Sequence, residues 1–364
     1  MDNKKGLYIH IPFCQRKCNY CDFTSYEGKF DLAEQYFNKL TVEMLSKDKC
    51  DIDTIYFGGG TPSSVDASYI CSFLENVYLH FNVSSDAEIT IEVNPASAVT
   101  KKIRAYKNAG INRISMGVQS FNDDELKMLG RLHSCKEVYH TYNVIRDCGI
   151  NNVSLDLMFG LPGQTTEKIS YSIAEILKLA PEHISCYGLT IEEGTPFYYK
   201  EKNGEITAMG EDSFADMYEF ICNSLNGNGY LQYEISNFSV EGKESRHNSR
   251  YWKCGEYIGL GAGASSYIGN VRSKNTDDLL GYKNEVEEIL SPYDKISEFA
   301  VLGLRMAKGI NINEFNERFG KDIYDVYGKQ LKKYADFIIR DGNVLKLDKK
   351  AYYISNTILA DFLL

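Results

Sequence analysis

The stretch that decides the fold is Leu7-Tyr-Ile-His-Ile-Pro-Phe-Cys14-Gln-Arg-Lys-Cys18-Asn-Tyr-Cys21. Leu7–Phe13 is a short run rich in Ile, Tyr and Phe, the composition of a buried parallel strand. It ends at a cysteine, and two more cysteines follow in the spacing Cys-x3-Cys-x2-Cys. Gln15, Arg16, Lys17 and Asn19 make this a polar loop and not core. Three thiolates so close in sequence can converge on one metal centre. With four irons, three thiolate ligands leave one iron open, as a catalytic site requires. The spacing departs from the two-residue gaps of zinc ribbons, though a zinc site completed by His10 is an alternative. Three unrelated buried cysteines are the bland reading, and the polar loop ranks it below both metal sites.

Working outward, similar strand-like runs recur at Thr54–Phe57, Glu88–Val93, Arg113–Val118, Val153–Met158 and His183–Leu189. Between them lie segments of helical spacing. In Leu32–Leu45 the residues Leu32, Tyr36, Phe37, Leu40, Met44 and Leu45 share a face, and Lys136–Cys148 stops at Gly149. Six β/α units in series predict an α/β fold with a parallel sheet. Six is short of a closed barrel, so the expected form is a partial (β/α)6 TIM-type barrel with its chemistry at the C-terminal strand ends. Residues 1–232 are assigned to it. Residues 233–295 form a connecting segment, with a strand at Tyr233–Phe238 and polar, Gly-rich sequence to about Gly269. Residues 296–364 are read as a small α+β C-terminal domain of winged-helix-like order, with helices and then strands at Val344–Leu347 and Ala351–Ile354.

A chain of 364 residues is long enough for this division. Its formal charge of −10 disfavours a partner held by phosphate neutralisation, so no nucleic acid is expected. No apolar run approaches the ~18–20 residues of a membrane span, and Leu7–Phe13 lacks the features of a signal peptide. The expected location is therefore cytoplasmic. Ten cysteines in such a chain suit reduced thiols and metal ligands better than disulfides.

Further motifs join the cysteine loop. They are Gly58-Gly59-Gly60-Thr61-Pro62, Glu92-Val-Asn-Pro95, Gly117-Val-Gln-Ser-Phe121, Asp156-Leu-Met-Phe-Gly-Leu-Pro-Gly163 and Tyr233-Glu-Ile-Ser-Asn-Phe238. Together they resemble the radical S-adenosylmethionine superfamily, in its oxygen-independent coproporphyrinogen III oxidase-like subfamily. The resemblance runs through nearly the whole chain and is most specific over residues 7–270. It implies a 4Fe–4S cluster on Cys14, Cys18 and Cys21. It also implies S-adenosylmethionine against Tyr8, Tyr20, Gly59, Gly60, Thr61, Glu92, Gln119, Arg131 and Asp156.

Three readings compete. Oxidases continue the cysteine motif with a fourth cysteine, where this chain has Phe23, and they carry a longer segment before it than the thirteen residues here. His247-Asn-Ser-Arg-Tyr-Trp252 matches the His-Asn-x-x-Tyr-Trp segment of a haem-chaperone branch. That branch implies haem as cargo, with His247, Tyr251 and Trp252 as candidate contacts and Cys254 as a second axial candidate. It also implies an acceptor haemoprotein, membrane-bound ones included, and an electron donor such as flavodoxin or ferredoxin. Oxidase activity is then not expected. A radical enzyme acting on transfer RNA is the third reading, and the charge opposes it. Gly259-x-Gly261-x-Gly263 has the glycines of a dinucleotide loop but no βαβ unit around it. Ser265 stands where the subfamily often has a histidine.

Overall fold

The computed structural model describes residues 4–364. All six predicted core strands are present: β1 (Lys5–Ile11), β2 (Asp51–Gly59), β3 (Asn82–Val93), β4 (Arg113–Gln119), β5 (Val153–Phe159) and β6 (His183–Gly188). They lie side by side in chain order, each parallel to the next. The two helices read from spacing appear as Ala33–Leu45 and Cys135–Asp147. The second opens on a capping box of Ser134 and Glu137, which satisfies backbone amides that have no partner inside the helix.

The strands show two faces of opposite chemistry. Leu7, Ile9, Ile55, Phe57, Ile89, Ile91, Ile114, Met116, Leu155 and Ile184 are buried in the core with helix residues such as Tyr36, Leu40 and Phe73. Burying each large aliphatic side chain contributes roughly 1.5–3 kcal/mol. The alternate positions are polar, because successive strand residues point to opposite faces. Tyr8 pairs with Tyr56, Tyr56 with Thr90 and Thr90 with Arg113, while Glu92 pairs with Ser115 and Asp156 with Ser185. The barrel interior is therefore lined by hydrogen-bonding and charged groups.

Residues 233–295 extend the same sheet. Strand Tyr257–Leu260 adds in parallel to the free edge of β1 and carries three further antiparallel strands. The Gly-rich stretch expected to be irregular thus contains regular structure. Its strand is specified by the open edge of β1, a tertiary cause that local glycine content conceals. The glycine repeat itself is a strand and turn. Gly261 there donates to Glu43 at 2.9 Å and leads into no helix. The expected strand at Tyr233–Phe238 is shorter than predicted, running Asn237–Ser239 antiparallel to β6. The buried Glu234 carboxylate accepts from Ser236 N at 2.8 Å and draws the preceding residues into a turn.

The C-terminal module has helices Pro292–Arg305, Ile312–Phe319 and Ile323–Lys333 and a three-stranded sheet. Val344–Leu347 is a strand as predicted, but its neighbour across the Gly342 turn is Ile338–Asp341. The expected strand at Ala351–Ile354 is instead a 3-10 turn, Lys349–Ile354, because Asp348 caps it by accepting from Lys350 N at 3.2 Å. Among the described residues no helix is long and apolar enough to cross a membrane.

Candidate cofactor site

A cavity of about 440 Å³ opens at the C-terminal ends of the strands, within the range of small-molecule sites. Cys14, Cys18 and Cys21 line it together with Tyr20, Gly59, Gly60, Thr61, Glu92, Gln119, Arg131 and Asp156. Tyr8 does not. Its hydroxyl donates to His10 Nδ1 at 3.0 Å, and its ring stacks on Tyr56, with centroids 6.2 Å apart. His10 Nε2 donates to Thr24 O at 2.8 Å, so both ring nitrogens of the histidine a zinc site would recruit are in use.

The cysteine loop is fixed from several sides. Cys14 Sγ lies 3.5 Å from Thr61 Oγ1, and Thr61 N donates to Phe13 O at 2.9 Å. Gly60 packs so closely that a Cβ there would meet Phe13 O at 2.9 Å and Cys14 Sγ at 3.0 Å. Gly59 has φ +113°, and a Cβ on it would strike the His10 ring. Arg131 Nη1 donates to Cys18 Sγ at 3.4 Å and Nη2 to Gly117 O at 2.8 Å. Its Nε is buried without a partner.

Glu92 accepts from Tyr56 Oη at 2.9 Å and from Gly59 N at 3.2 Å. Burial pushes its carboxyl up to about 7 against these bonds, and the nearby Asp156 charge adds to the rise. Asp156 accepts from Ser115 Oγ at 3.0 Å and Ser154 Oγ at 3.1 Å, and burial raises it as well. Arg113, 1% exposed, is the buried cation that opposes both rises. Gln119 stands at φ 68°, a left-handed conformation unusual for a residue with a Cβ, beside a bulge that follows Gly117.

Reasoning from sequence did not single out Tyr56, Arg113 or Ser115, and it noted Asn248 only as part of the His247–Trp252 motif; all four share this cavity. The signal was period two: Thr54, Tyr56 and Gly58 on β2 and Arg113, Ser115 and Gly117 on β4 fall on the interior face. Asn248 comes from helix Arg246–Trp252, which closes the N-terminal end of the barrel. Glu88 caps that helix by accepting from Arg246 N at 3.2 Å and His247 N at 3.0 Å.

His247, Tyr251 and Trp252 lie away from the cavity. His247 is 1% exposed; its Nδ1 meets Thr54 Oγ1 at 2.9 Å and its Nε2 meets Tyr251 Oη at 2.7 Å. Burial pushes its ring down to about 3, with Arg250 and Arg113 adding to the fall. Trp252 packs under the Arg305 guanidinium, 4.7 Å from the ring centroid. Cys254 is partly buried at φ 53°.

Comparison with known proteins adds to this geometry. The Radical SAM superfamily model matches residues 8–176, and that of the HemN C-terminal domain matches 290–354. The chain is 36% identical to "Heme chaperone HemW" of Bacillus subtilis, over 99% of each chain. It is 35% identical to the protein of the same name from Lactococcus lactis, over 100% of this chain and 98% of that one. It is 33% identical to "Radical S-adenosyl methionine domain-containing protein 1, mitochondrial" of Danio rerio, over 99% and 87%. The solved structure of coproporphyrinogen III oxidase (HemN) from Escherichia coli superposes with a TM-score of 0.87 over 99% of this chain and 90% of that chain. Identity to it is 21%, so this likeness concerns the fold alone.

Proposed function

The chain belongs to the radical S-adenosylmethionine superfamily, in its coproporphyrinogen III oxidase-like subfamily, and from that premise we propose that it is a haem-chaperone-type protein. It binds a 4Fe–4S cluster, S-adenosylmethionine and haem, and delivers haem to acceptor haemoproteins, membrane-bound ones included. The observation that carries the cofactor half is the convergence of three cysteines, two carboxylates and Arg131 on one cavity. The haem half rests on full-length similarity to curated haem chaperones and on Phe23, 63% exposed, in place of a fourth cysteine.

Cys14, Cys18 and Cys21 would hold the cluster, which when bound supplies one-electron reduction of the sulfonium. Arg131 already faces Cys18, and its unsatisfied Nε suits a ligand carboxylate at the open iron. Gly59 and Gly60 line the cavity, where a backbone carbonyl can accept from the methionine amino group. Glu92 can accept from a ribose hydroxyl or an ammonium, and Asp156, held by serines, places a second carboxyl group in the same cavity. An electron donor such as flavodoxin or ferredoxin belongs to the same proposal. Haem contact by His247, Tyr251 and Trp252 requires helix Arg246–Trp252 to leave the barrel floor, since both His247 nitrogens are engaged.

Anaerobic purification with iron, sulfide and haem analysis tests this reading. Reconstituted protein should show thiolate-to-iron absorption and an S-adenosylmethionine-sensitive electron resonance signal. Cys14→Ala, Cys18→Ala and Cys21→Ala should each lose most of the iron. Hemin should bind saturably at one per chain. Coproporphyrinogen III should not be converted, while slow uncoupled cleavage of S-adenosylmethionine should persist. Stoichiometric protoporphyrinogen IX would install the oxidase reading instead.

A further inference from the structure

A larger cavity lies outside the barrel. It is a groove of about 1080 Å³ between helix Glu211–Gly227 and the C-terminal module, more than twice the volume of the cofactor cavity. Its walls are aromatic, with Phe214 and Tyr218 from the helix and Phe337 and Tyr353 from the module. Tyr353 is 54% exposed at its lip. The Phe214 ring lies 4.7 Å from that of Phe159 on β5 and covers Gly160 and Gly188, where a Cβ has no room. Gly188 also lines the cofactor cavity, so Phe214 packs directly against a wall of that cavity.

The polar groups of the groove are unevenly placed. Lys349 and Lys350 come from the module, and Glu211, Asp212, Asp216 and Glu219 from the helix. Cys222 is a free thiol on the helix wall. Beside it Gln232, 7% exposed, lines the groove with its Oε1 buried and without a hydrogen-bond partner.

We propose that this groove seats the haem, with Cys222 as sulfur ligand to the iron and Lys349 and Lys350 on the two propionates. The inference rests on the haem reading given above and names its site. A flat apolar macrocycle matches walls of four aromatic rings. Its carboxylates form charge-assisted pairs with the lysines, and the acidic row on the helix repels them, so one orientation is selected. On ligation the Cys222 thiol gives up its proton to solvent and its sulfur bonds the ferric iron, with no change of oxidation state. The unfilled Gln232 acceptor can take an ordered water at the same wall. Haem seated here loads and leaves without helix Arg246–Trp252 moving, and it touches Phe214, whose ring rests on the cofactor cavity wall.

The test is hemin titration of the full-length, cluster-loaded protein, followed by Soret absorption. The variants are Cys222→Ser, Lys349→Glu with Lys350→Glu, and His247→Ala, each checked for an unchanged far-ultraviolet spectrum and melting temperature. A fourth protein, Trp252→Phe with Tyr353→Trp, places the one tryptophan at the groove lip. The expected results are a shifted Soret band in Cys222→Ser, affinity lower by about tenfold or more in the double lysine variant, and saturable quenching of Trp fluorescence in the fourth protein. Saturable one-to-one binding in the wild type that both groove variants keep, with the same Soret band, overturns the site but leaves the haem reading standing. Loss confined to His247→Ala does the same. Absence of saturable binding in the wild type overturns both.

Discussion

Glu92 concentrates the electrostatics of the cofactor cavity in one side chain. Its carboxyl is raised from 4.5 to about 7, chiefly by burial. A raised acid holds its proton in the folded state while the unfolded chain has already lost it. Its contribution to stability is therefore fully present below about pH 4.5 and is lost as pH rises to about 7, with a ceiling of roughly 3 kcal/mol. Glu92→Gln should flatten that part of the pH profile, which urea unfolding of the wild type and variant at pH 5 and pH 8 would measure. A ligand that donates to the ionised form draws the pKa back down. S-adenosylmethionine should therefore bind the wild type more tightly at pH 8 than at pH 6, and the dependence should shrink in Glu92→Gln. Equal slopes in the two proteins would remove Glu92 from the binding site. Gln119 carries a different constraint, since its left-handed backbone costs on the order of 1–2 kcal/mol and holds its side chain over Gly117.

At the scale of elements, the cysteine loop is held by its neighbours as much as by its own residues. Asn19 N donates to Leu129 O at 3.0 Å, its Nδ2 donates to Met128 O at 2.7 Å, and its carbonyl accepts from Phe197 N at 2.9 Å. A separate small core of Leu129, Met158, Leu161 and Phe197, with Tyr20 packed on it, lies behind this clamp. Asn19→Ala should cost about 1 kcal/mol in stability by removing one part-buried bond. More tellingly, it should broaden the electron resonance signal of the reconstituted cluster, since the middle of the loop loses an anchor. An unchanged, fully loaded cluster would show that the cysteines alone set the loop. The loop's position after β1 and the six strands were legible because apolar runs of four to eight residues ended by turn residues are a local signal. The clamp was not, since nothing near Asn19 in sequence points to Leu129 or Phe197. Helix Arg246–Trp252 was hidden for the same reason. Its motif could be matched, but its seat on Glu88 and Thr54 depends on residues some 160 and 190 positions away.

For the whole molecule, the junction between sheet and C-terminal module decides whether the two behave as one body. Glu234 forms an isolated β-bridge with Met306, and Ala307 N donates to Tyr233 O at 2.9 Å. The Glu234 side chain is 1% exposed and meets Arg305 Nη2 at 3.8 Å, while the same guanidinium lies over Trp252. One cation thus lies against side chains from two segments distant from its own in sequence. The composition could divide the chain at about residue 233, but it could not show that residues 233–295 supply strands to both ends of one sheet. Arg305→Met should leave a buried, unpaired carboxylate and cost about 3–5 kcal/mol, whereas Arg305→Met with Glu234→Gln should recover much of that loss. The sign with pH follows from Glu234, whose carboxyl burial already raises. Without Arg305 it rises further, so the single variant's deficit should be larger at pH 8 than at pH 5, where the proton neutralises the stranded charge. Trp252, the one tryptophan, reports the event directly, because its fluorescence changes once the guanidinium is gone. A deficit independent of pH, or a double variant no better than the single, would mean that backbone pairing at Met306 and Ala307 holds the junction and the ion pair does not.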